Sequence, residues 1–290
     1  MDSEEQIINE WRNEKPKPVV ESNQINILKK YVEMTVKRFN HGLIITGRAG
    51  LGKTYATINI LKELKADFKY KSGYITALGL YKFLYANRAN NILLDDLEGL
   101  TGNENTVALL KTALWEANGK RIISYETTSK QLEDTPTAFE FTGTIIILAN
   151  EIKSRKNESF KALLSRAINF NLTFKHSEVL SICFEILKQR DLTDEQVKVI
   201  KDVLENEIEA STTFNLRLFD RLINMVKFDR DNAKELFLLS LKDDEDVVLV
   251  YGLMKRKELS VKQQYYLFNS KTGKSRRTFY RIKGKIKEVI

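Results

Sequence analysis

The 290-residue chain has one cysteine and two histidines. A lone Cys183 excludes an intramolecular disulfide, and its apolar neighbours make it a buried filler rather than a nucleophile. His41 and His176 stand far apart, so no zinc-ligand spacing exists. No apolar run approaches the roughly 20 residues of a membrane-spanning helix. The start, Met1-Asp2-Ser3-Glu4-Glu5, has no basic segment leading into an apolar one. The expectation is therefore an intracellular, cytoplasmic protein without a secretory leader. Internal repeats and low-complexity tracts are also missing, which excludes solenoids and collagen-like rods.

What is present is ordinary globular composition, 42% apolar and 30% charged. At about 100–200 residues per domain the length suggests about two domains. The net charge of +8 is unevenly placed. Residues 251–290 hold 12 Lys and Arg against two acids, Glu258 and Glu288, while the other 250 residues hold 35 basic and 37 acidic. A basic terminal segment on a near-neutral body points to a polyanionic partner.

The chain is organised around Gly47-Arg48-Ala49-Gly50-Leu51-Gly52-Lys53-Thr54, preceded by the apolar Leu43-Ile44-Ile45 and followed by a helical pattern to Lys65. This is the G-x-x-x-x-G-K-T spacing of a P-loop in its strand–loop–helix context. Glycines let successive backbone N–H groups converge on phosphates at the positive end of a helix. Lys53 then reaches the β- and γ-phosphates and Thr54 places its hydroxyl on Mg²⁺. Tyr55 follows directly and is counted with the loop as nucleotide-binding. The expected ligands are a nucleoside triphosphate and Mg²⁺.

Asn91-Ile92-Leu93-Leu94-Asp95-Asp96 reads as a strand buried on both faces that presents two carboxylates at its end. Asp95 is the second expected Mg²⁺ ligand. Asp96 orients or deprotonates the attacking water, with Glu98 as the alternative. Thr144-Ile145-Ile146-Ile147-Leu148-Ala149 is a further buried strand, ending at Asn150, an amide able to hold that water. Elsewhere the patterns predict helices over Asn23–Phe39 (apolar side Ile27, Leu28, Tyr31, Met34 and Val36), Ala77–Asn87 and Glu104–Asn118. A strand is predicted over 68–76. Arg121–Tyr125 and Ala138–Phe141 are open to two readings, a hairpin or a further core strand with a surface loop. Residues 3–13, with Trp11, read as an arm broken by Pro16 and Pro18.

The order P-loop, Ile-Leu-Leu-Asp-Asp, Ile-Leu-Ala-Asn resembles an AAA+ ATPase over about residues 20–240. The resemblance continues through Phe160-Lys161-Ala162-Leu163-Leu164-Ser165-Arg166 and Phe214-Asn215-Leu216-Arg217. It implies that Asn150 is a sensor, that Arg166 is a finger reaching the neighbouring subunit's γ-phosphate, and that Arg217 is a lid arginine contacting phosphate in cis. Arg155 and Arg221 are local competitors for these two roles. The Asp-Asp pair departs from the family's commoner Asp-Glu. The resemblance further implies ATP as the nucleotide, a homo-oligomeric ring, hexameric by expectation, and, in the hairpin reading of residues 121–141, DNA contacts at Lys120, Arg121 and Lys130. The expected fold class is α/β: a P-loop core with a parallel sheet flanked by helices (23–175), a helical lid (176–242) and a helical module (243–290), behind an arm and linker (1–22).

In the last 48 residues three helices are expected, about Asp243–Lys257, Ser260–Asn269 and Ser275–Lys287, with a tight turn at Lys271-Thr272-Gly273. Phe279, Ile282 and Ile286 form an inner face. The pattern resembles a helix-turn-helix, with Lys274, Arg276, Arg277, Tyr280, Arg281 and Lys283 as DNA contacts. The combined expectation is an ATPase acting on DNA in replication, as initiator, helicase loader or helicase-like translocase, with other replication proteins as further partners. The rivals are a protein-remodelling chaperone and an ATP-switched DNA-binding scaffold with weak hydrolysis.

Overall fold

The structure is a computed structural model. It describes residues 19, 22–96, 103–126, 135–150, 158–208, 214–241, 245–256 and 258–287. Trp11, Glu98, Lys130 and Arg155 lie outside the described residues. The chain divides into two compact units, Met1–Thr173 and Phe174–Ile290.

The first unit contains α1 (Asn23–Val36), β1 (Gly42–Thr46), α2 (Lys53–Glu63), β2 (Phe68–Ser72), α3 (Ala77–Ala86), β3 (Asn91–Asp95), α4 (Glu104–Leu114), β4 (Ile122–Ser124), β5 (Ala138–Glu140), β6 (Thr144–Leu148), α5 (Glu158–Leu164) and β7 (Ile168–Asn171). Five of the strands form one parallel sheet in the order β2-β3-β6-β1-β7. The three central strands are the three apolar runs of the sequence. Leu43–Ile45, Ile92–Leu94 and Ile145–Leu148 are all buried, as a sheet covered on both faces requires. Edge strands β2 and β7 are only partly buried.

Helix starts follow local chemistry. Ser22 Oγ accepts from the Ile25 amide at 3.2 Å, Thr76 Oγ1 from Gly79 at 3.1 Å, and Asn103 Oδ1 from Asn105 at 3.0 Å. Each satisfies an N–H that the first helical turn leaves without a partner. Helix α2 differs: Gly52 precedes it in the left-handed region, with no side-chain cap.

Three local expectations are corrected. The helix after Asn103 ends at Leu114, not Asn118. Asn118 (φ 52°) and Gly119 (φ 76°) instead form a tight turn closed by Ala117 and Lys120. Asn-Gly suits such a turn because both central residues need positive φ. The strand begun at Phe68 stops at Ser72. On α1 the buried face is Ile25, Leu28, Val32 and Thr35, and Met34 is exposed.

Of the two readings for residues 121–141, the structure has the hairpin. Strands β4 and β5 pair antiparallel, Ile123 opposite Phe139, as a sheet separate from the main one. Its inner side packs Phe139 on Tyr81 and Tyr85, with ring centroids 5.2 and 5.3 Å apart. At its base Gly143 sits so close to the main sheet that an added Cβ would lie 2.1 Å from the Asn90 carbonyl oxygen.

The second unit is helical among its described residues: α6 (His176–Leu187), α7 (Asp194–Asp202) continuing into a π turn (Val203–Glu207), α8 (Leu216–Phe228), α9 (Ala233–Ser240), α10 (Glu245–Lys255), α11 (Val261–Thr272) and α12 (Arg276–Lys287). Thr193 and Ser260 start α7 and α11 with capping boxes, and Gly273 (φ 67°) ends α11. Helices α10–α12 share their own apolar cluster of Val250, Leu253, Phe268, Phe279, Ile282 and Ile286. Among the described residues no helix is long and apolar enough to cross a membrane.

Candidate nucleotide site

The parallel order brings the C-terminal ends of β1, β3 and β6 side by side, since β6 lies between the other two. In register, Ile45 and Asp95 both face Leu148 of β6. The P-loop, the Asp95-Asp96 pair and Asn150 leave the sheet at that edge, where open α/β sheets bind ligands.

The loop is shaped by glycines at Gly47 (φ 154°), Gly50 (φ 80°) and Gly52 (φ 77°). At Gly47 a Cβ would stand 2.5 Å from the Leu172 carbonyl oxygen. Between them Arg48 is half-buried and Ala49 exposed, Leu51 is buried, and Tyr55 is 45% exposed on the first turn of α2. Lys53 is 8% exposed and its Nζ donates to the carbonyls of Gly47 at 2.8 Å and Arg48 at 3.0 Å. A curled backbone, an N-terminus without a side-chain cap and a lysine directed into the curl form a built anion cradle. It fits a nucleoside triphosphate.

Two hydrogen-bond chains radiate from it. Lys53 Nζ donates to Asn150 Oδ1 at 3.2 Å, and Asn150 Nδ2 donates to Asp96 Oδ1 at 3.1 Å. Asp96 itself has φ 45°, and its amide donates to the Leu148 carbonyl at 3.2 Å. Thr54 Oγ1 donates to Asp95 Oδ2 at 2.9 Å, and the Tyr70 hydroxyl donates to the same oxygen at 3.0 Å. Burial foremost pushes the Tyr70 phenol up to about 12; a hydrogen bond with Ser72 works against it, and Asp95 and Asp96 add to the rise. Among the described residues no group of three or more His, Cys, Asp or Glu is placed to hold a metal. The Thr54–Asp95 pair fits Mg²⁺, which takes one or two protein oxygens beside phosphate and water.

Sequence reasoning missed Tyr70. Phe68, Tyr70 and Ser72 alternate onto one face of β2, and Ser72 pairs with Asp95; only the register places the phenol at the carboxylate.

Arg166 follows α5, half-buried, with its guanidinium 5.5 Å from the Trp115 ring centroid and donating to the Ala162 carbonyl. Arg217 belongs to the second unit, exposed in the first turn of α8. Arg121 is corrected as a DNA contact. It is 7% exposed, and its guanidinium donates to the carbonyls of Ala113 at 2.9 Å and Gly143 at 2.8 Å. It also lies 5.2 Å from the Phe141 ring centroid. A cation tied to two backbone carbonyls inside the protein pins the hairpin base and is not available to a polyanion. Lys120 is exposed, 3.8 Å from Glu140.

The chain aligns with AMPPCP-bound DnaA from Aquifex aeolicus at a TM-score of 0.51 and 17% identity, covering 93% of this chain and 87% of that one. The chain shares the fold of that DnaA, an α/β P-loop core followed by a helical unit. The Thermotoga maritima RuvB Holliday junction branch migration motor aligns at a TM-score of 0.48 and 15% identity, over 90% of this chain and 86% of that one. In sequence, a 36.7 kDa protein of the nrdC–mobD intergenic region of enterobacteria phage T4 is 26% identical over 216 residues, 67% of this chain. The match spans 66% of that protein, just under two thirds of its length. No family model matches. In sequence the helical unit, Phe174–Ile290, follows the α/β P-loop unit, Met1–Thr173.

Proposed function

We propose that the chain is a Mg²⁺-dependent ATPase that couples ATP binding and hydrolysis to action on DNA, in replication, as initiator, helicase loader or helicase-like translocase. The observation that carries this is the continuous chain Lys53–Asn150–Asp96 beside Thr54–Asp95. It joins three strand ends that the sequence separates widely.

In this reading Lys53 and the loop amides hold the phosphates, and Thr54 and Asp95 hold Mg²⁺, which supplies charge neutralisation when bound. Asn150 orients the attacking water, and Asp96, fixed by Asn150, accepts its proton. Arg166 serves the neighbouring subunit's site in a ring of identical chains, expected to be a hexamer. Its guanidinium must then leave Trp115 on assembly. An arginine supplied in trans is worth about 10³–10⁵-fold in phosphoryl transfer, which makes hydrolysis conditional on assembly. Arg217 contacts phosphate from the lid, residues 176–242. The module of residues 243–290, helix-turn-helix-like in its sequence, holds DNA. Its net charge of +10 over residues 251–290 supports that role.

ATPase rate and oligomer size, measured together with and without DNA, test this. DNA is expected to stimulate hydrolysis, and Lys53→Ala to abolish nucleotide binding. Nucleotide binding intact in Lys53→Ala overturns the site. Turnover indifferent to DNA in the assembled state favours protein remodelling instead.

A further inference from the structure

Six basic or aromatic side chains, Lys274 in the turn before α12 and five on α12 itself, are expected from the sequence to meet DNA, and the structure divides them. Lys274 Nζ is paired with Asp246 at 2.6 Å. Lys283 Nζ donates to Gln264 at 2.9 Å and lies 5.8 Å from the Phe279 ring centroid. These two lysines brace α10, α11 and α12 against each other. Arg276, Arg277, Tyr280 and Arg281 are exposed.

A second aromatic joins them. Tyr266 of α11 is 60% exposed and Tyr280 is 43% exposed. They are the two ends of one ladder of rings: Tyr266–Tyr265 at 5.8 Å, Tyr265–Phe279 at 5.9 Å and Phe279–Tyr280 at 5.4 Å. Phe279 is fully buried and also contacts buried Phe268 at 5.6 Å, so the outer rings stand on a rigid base. The Arg276 guanidinium lies 5.5 Å from the Tyr280 ring centroid.

Gly284 continues the exposed face of α12 one turn beyond Tyr280 and Arg281. Glycine weakens a helix relative to alanine, yet a Cβ here would meet nothing within 4 Å. Among the described residues no packing requires it. A bare backbone on a basic face suits the close approach of something outside the chain.

We propose that this surface binds unpaired nucleic-acid strands. Bases stack on Tyr266 and Tyr280, and Arg276, Arg277 and Arg281 hold the phosphates. The inference rests on the nucleic-acid reading of the module and names its substrate class. Phosphate binding alone needs only cations. Exposed aromatic faces add what a duplex cannot use, since paired bases hide their faces in the stack and present only edges. A positive surface with outward rings is how sequence-tolerant single-strand binders work.

The test is fluorescence anisotropy of the full chain with labelled oligo-dT, oligo-rU of equal length and a blunt duplex of equal length, at one ionic strength. Wild type is expected to bind at least one unpaired strand more tightly than the duplex, and the tighter of dT and rU identifies the source. Base–aromatic stacking translates into a loss of about tenfold or more for Tyr266→Ala with Tyr280→Ala on that strand, with duplex binding unchanged. Both tyrosines changed to Phe keep the rings and are expected to keep the affinity, which separates stacking from a folding defect. Arg277→Ala with Arg281→Ala weakens all three ligands and flattens their salt dependence. A duplex preference untouched by the alanine pair overturns the inference and leaves the DNA reading standing. Absence of binding to all three overturns both.

Discussion

Deleting one hydroxyl, Tyr70→Phe, isolates what β2 contributes to the nucleotide site. Asp95 Oδ2 receives two donors, Thr54 at 2.9 Å and Tyr70 at 3.0 Å. A hydrogen bond to a charged acceptor is worth about 1.5–3 kcal/mol. Thr54 remains in the variant and the site is only half-buried, so the lower end applies, about tenfold in an equilibrium constant. The loss falls on the orientation of the Asp95 carboxylate and hence on Mg²⁺. The expected result is a rise of about tenfold in the Mg²⁺ concentration that half-saturates ATP turnover. Mg²⁺-free nucleotide affinity stays at the wild-type value, because Lys53 and the loop are untouched. A Mg²⁺ titration of turnover and fluorescent-nucleotide binding in chelator measure the two. An unchanged Mg²⁺ requirement, or an equal loss of Mg²⁺-free affinity, refutes the reasoning. The phenol also has a pH signature. Its folded value, about 12, lies above its ordinary value of 10.0. Its contribution to stability is therefore complete below pH 10 and lost as pH rises toward 12. Tyr70→Phe loses less stability across that window.

Two further outcomes follow from buried groups. Arg121→Met keeps an apolar stem but leaves the carbonyls of Ala113 and Gly143 without their donor. Denaturant unfolding is expected to show a loss of about 3–4 kcal/mol, with the salt dependence of DNA binding unchanged; wild-type stability refutes the anchoring role. Cys183 is fully buried and its thiol is pushed up to about 12, by burial first and by the charge of Asp220 second. A thiol reagent at mildly alkaline pH is expected to label it only as the second unit unfolds; rapid labelling of the native chain contradicts that burial.

Legibility in the sequence tracked how local each cause was. Strands β1, β3 and β6 were readable because burial on both faces demands unbroken apolar runs. The last helix was readable because Phe279, Ile282 and Ile286 repeat at one-turn spacing, and all three are buried. The end of α4 was not, because Asn118-Gly119 serves equally to end a helix or to turn a hairpin, and the choice lies with the pairing of Ala117 and Lys120. On α1 two apolar stripes overlap, and the packing surface chose Val32 over Met34. Arg121 read as a surface cation because its acceptors are backbone carbonyls of Ala113 and Gly143, which no residue pattern advertises.

By itself the sequence determined the chemistry of the loop from Gly47 to Thr54, because conformational freedom, charge and hydroxyl there act over a few bonds. It also determined the strand ends that carry Asp95, Asp96 and Asn150, and the basic character of the last 40 residues. Tertiary structure alone decided that β6 inserts between β1 and β3, which sets Asn150 between Lys53 and Asp96. It alone brought Tyr70 to Asp95, withdrew Arg121, and left Tyr266 and Tyr280 at the outer ends of a ring ladder that passes through buried Phe279. The physical reason is the same in each case. Parallel pairing and helix packing set residues distant along the chain beside one another, and those distances are properties of the assembled layers.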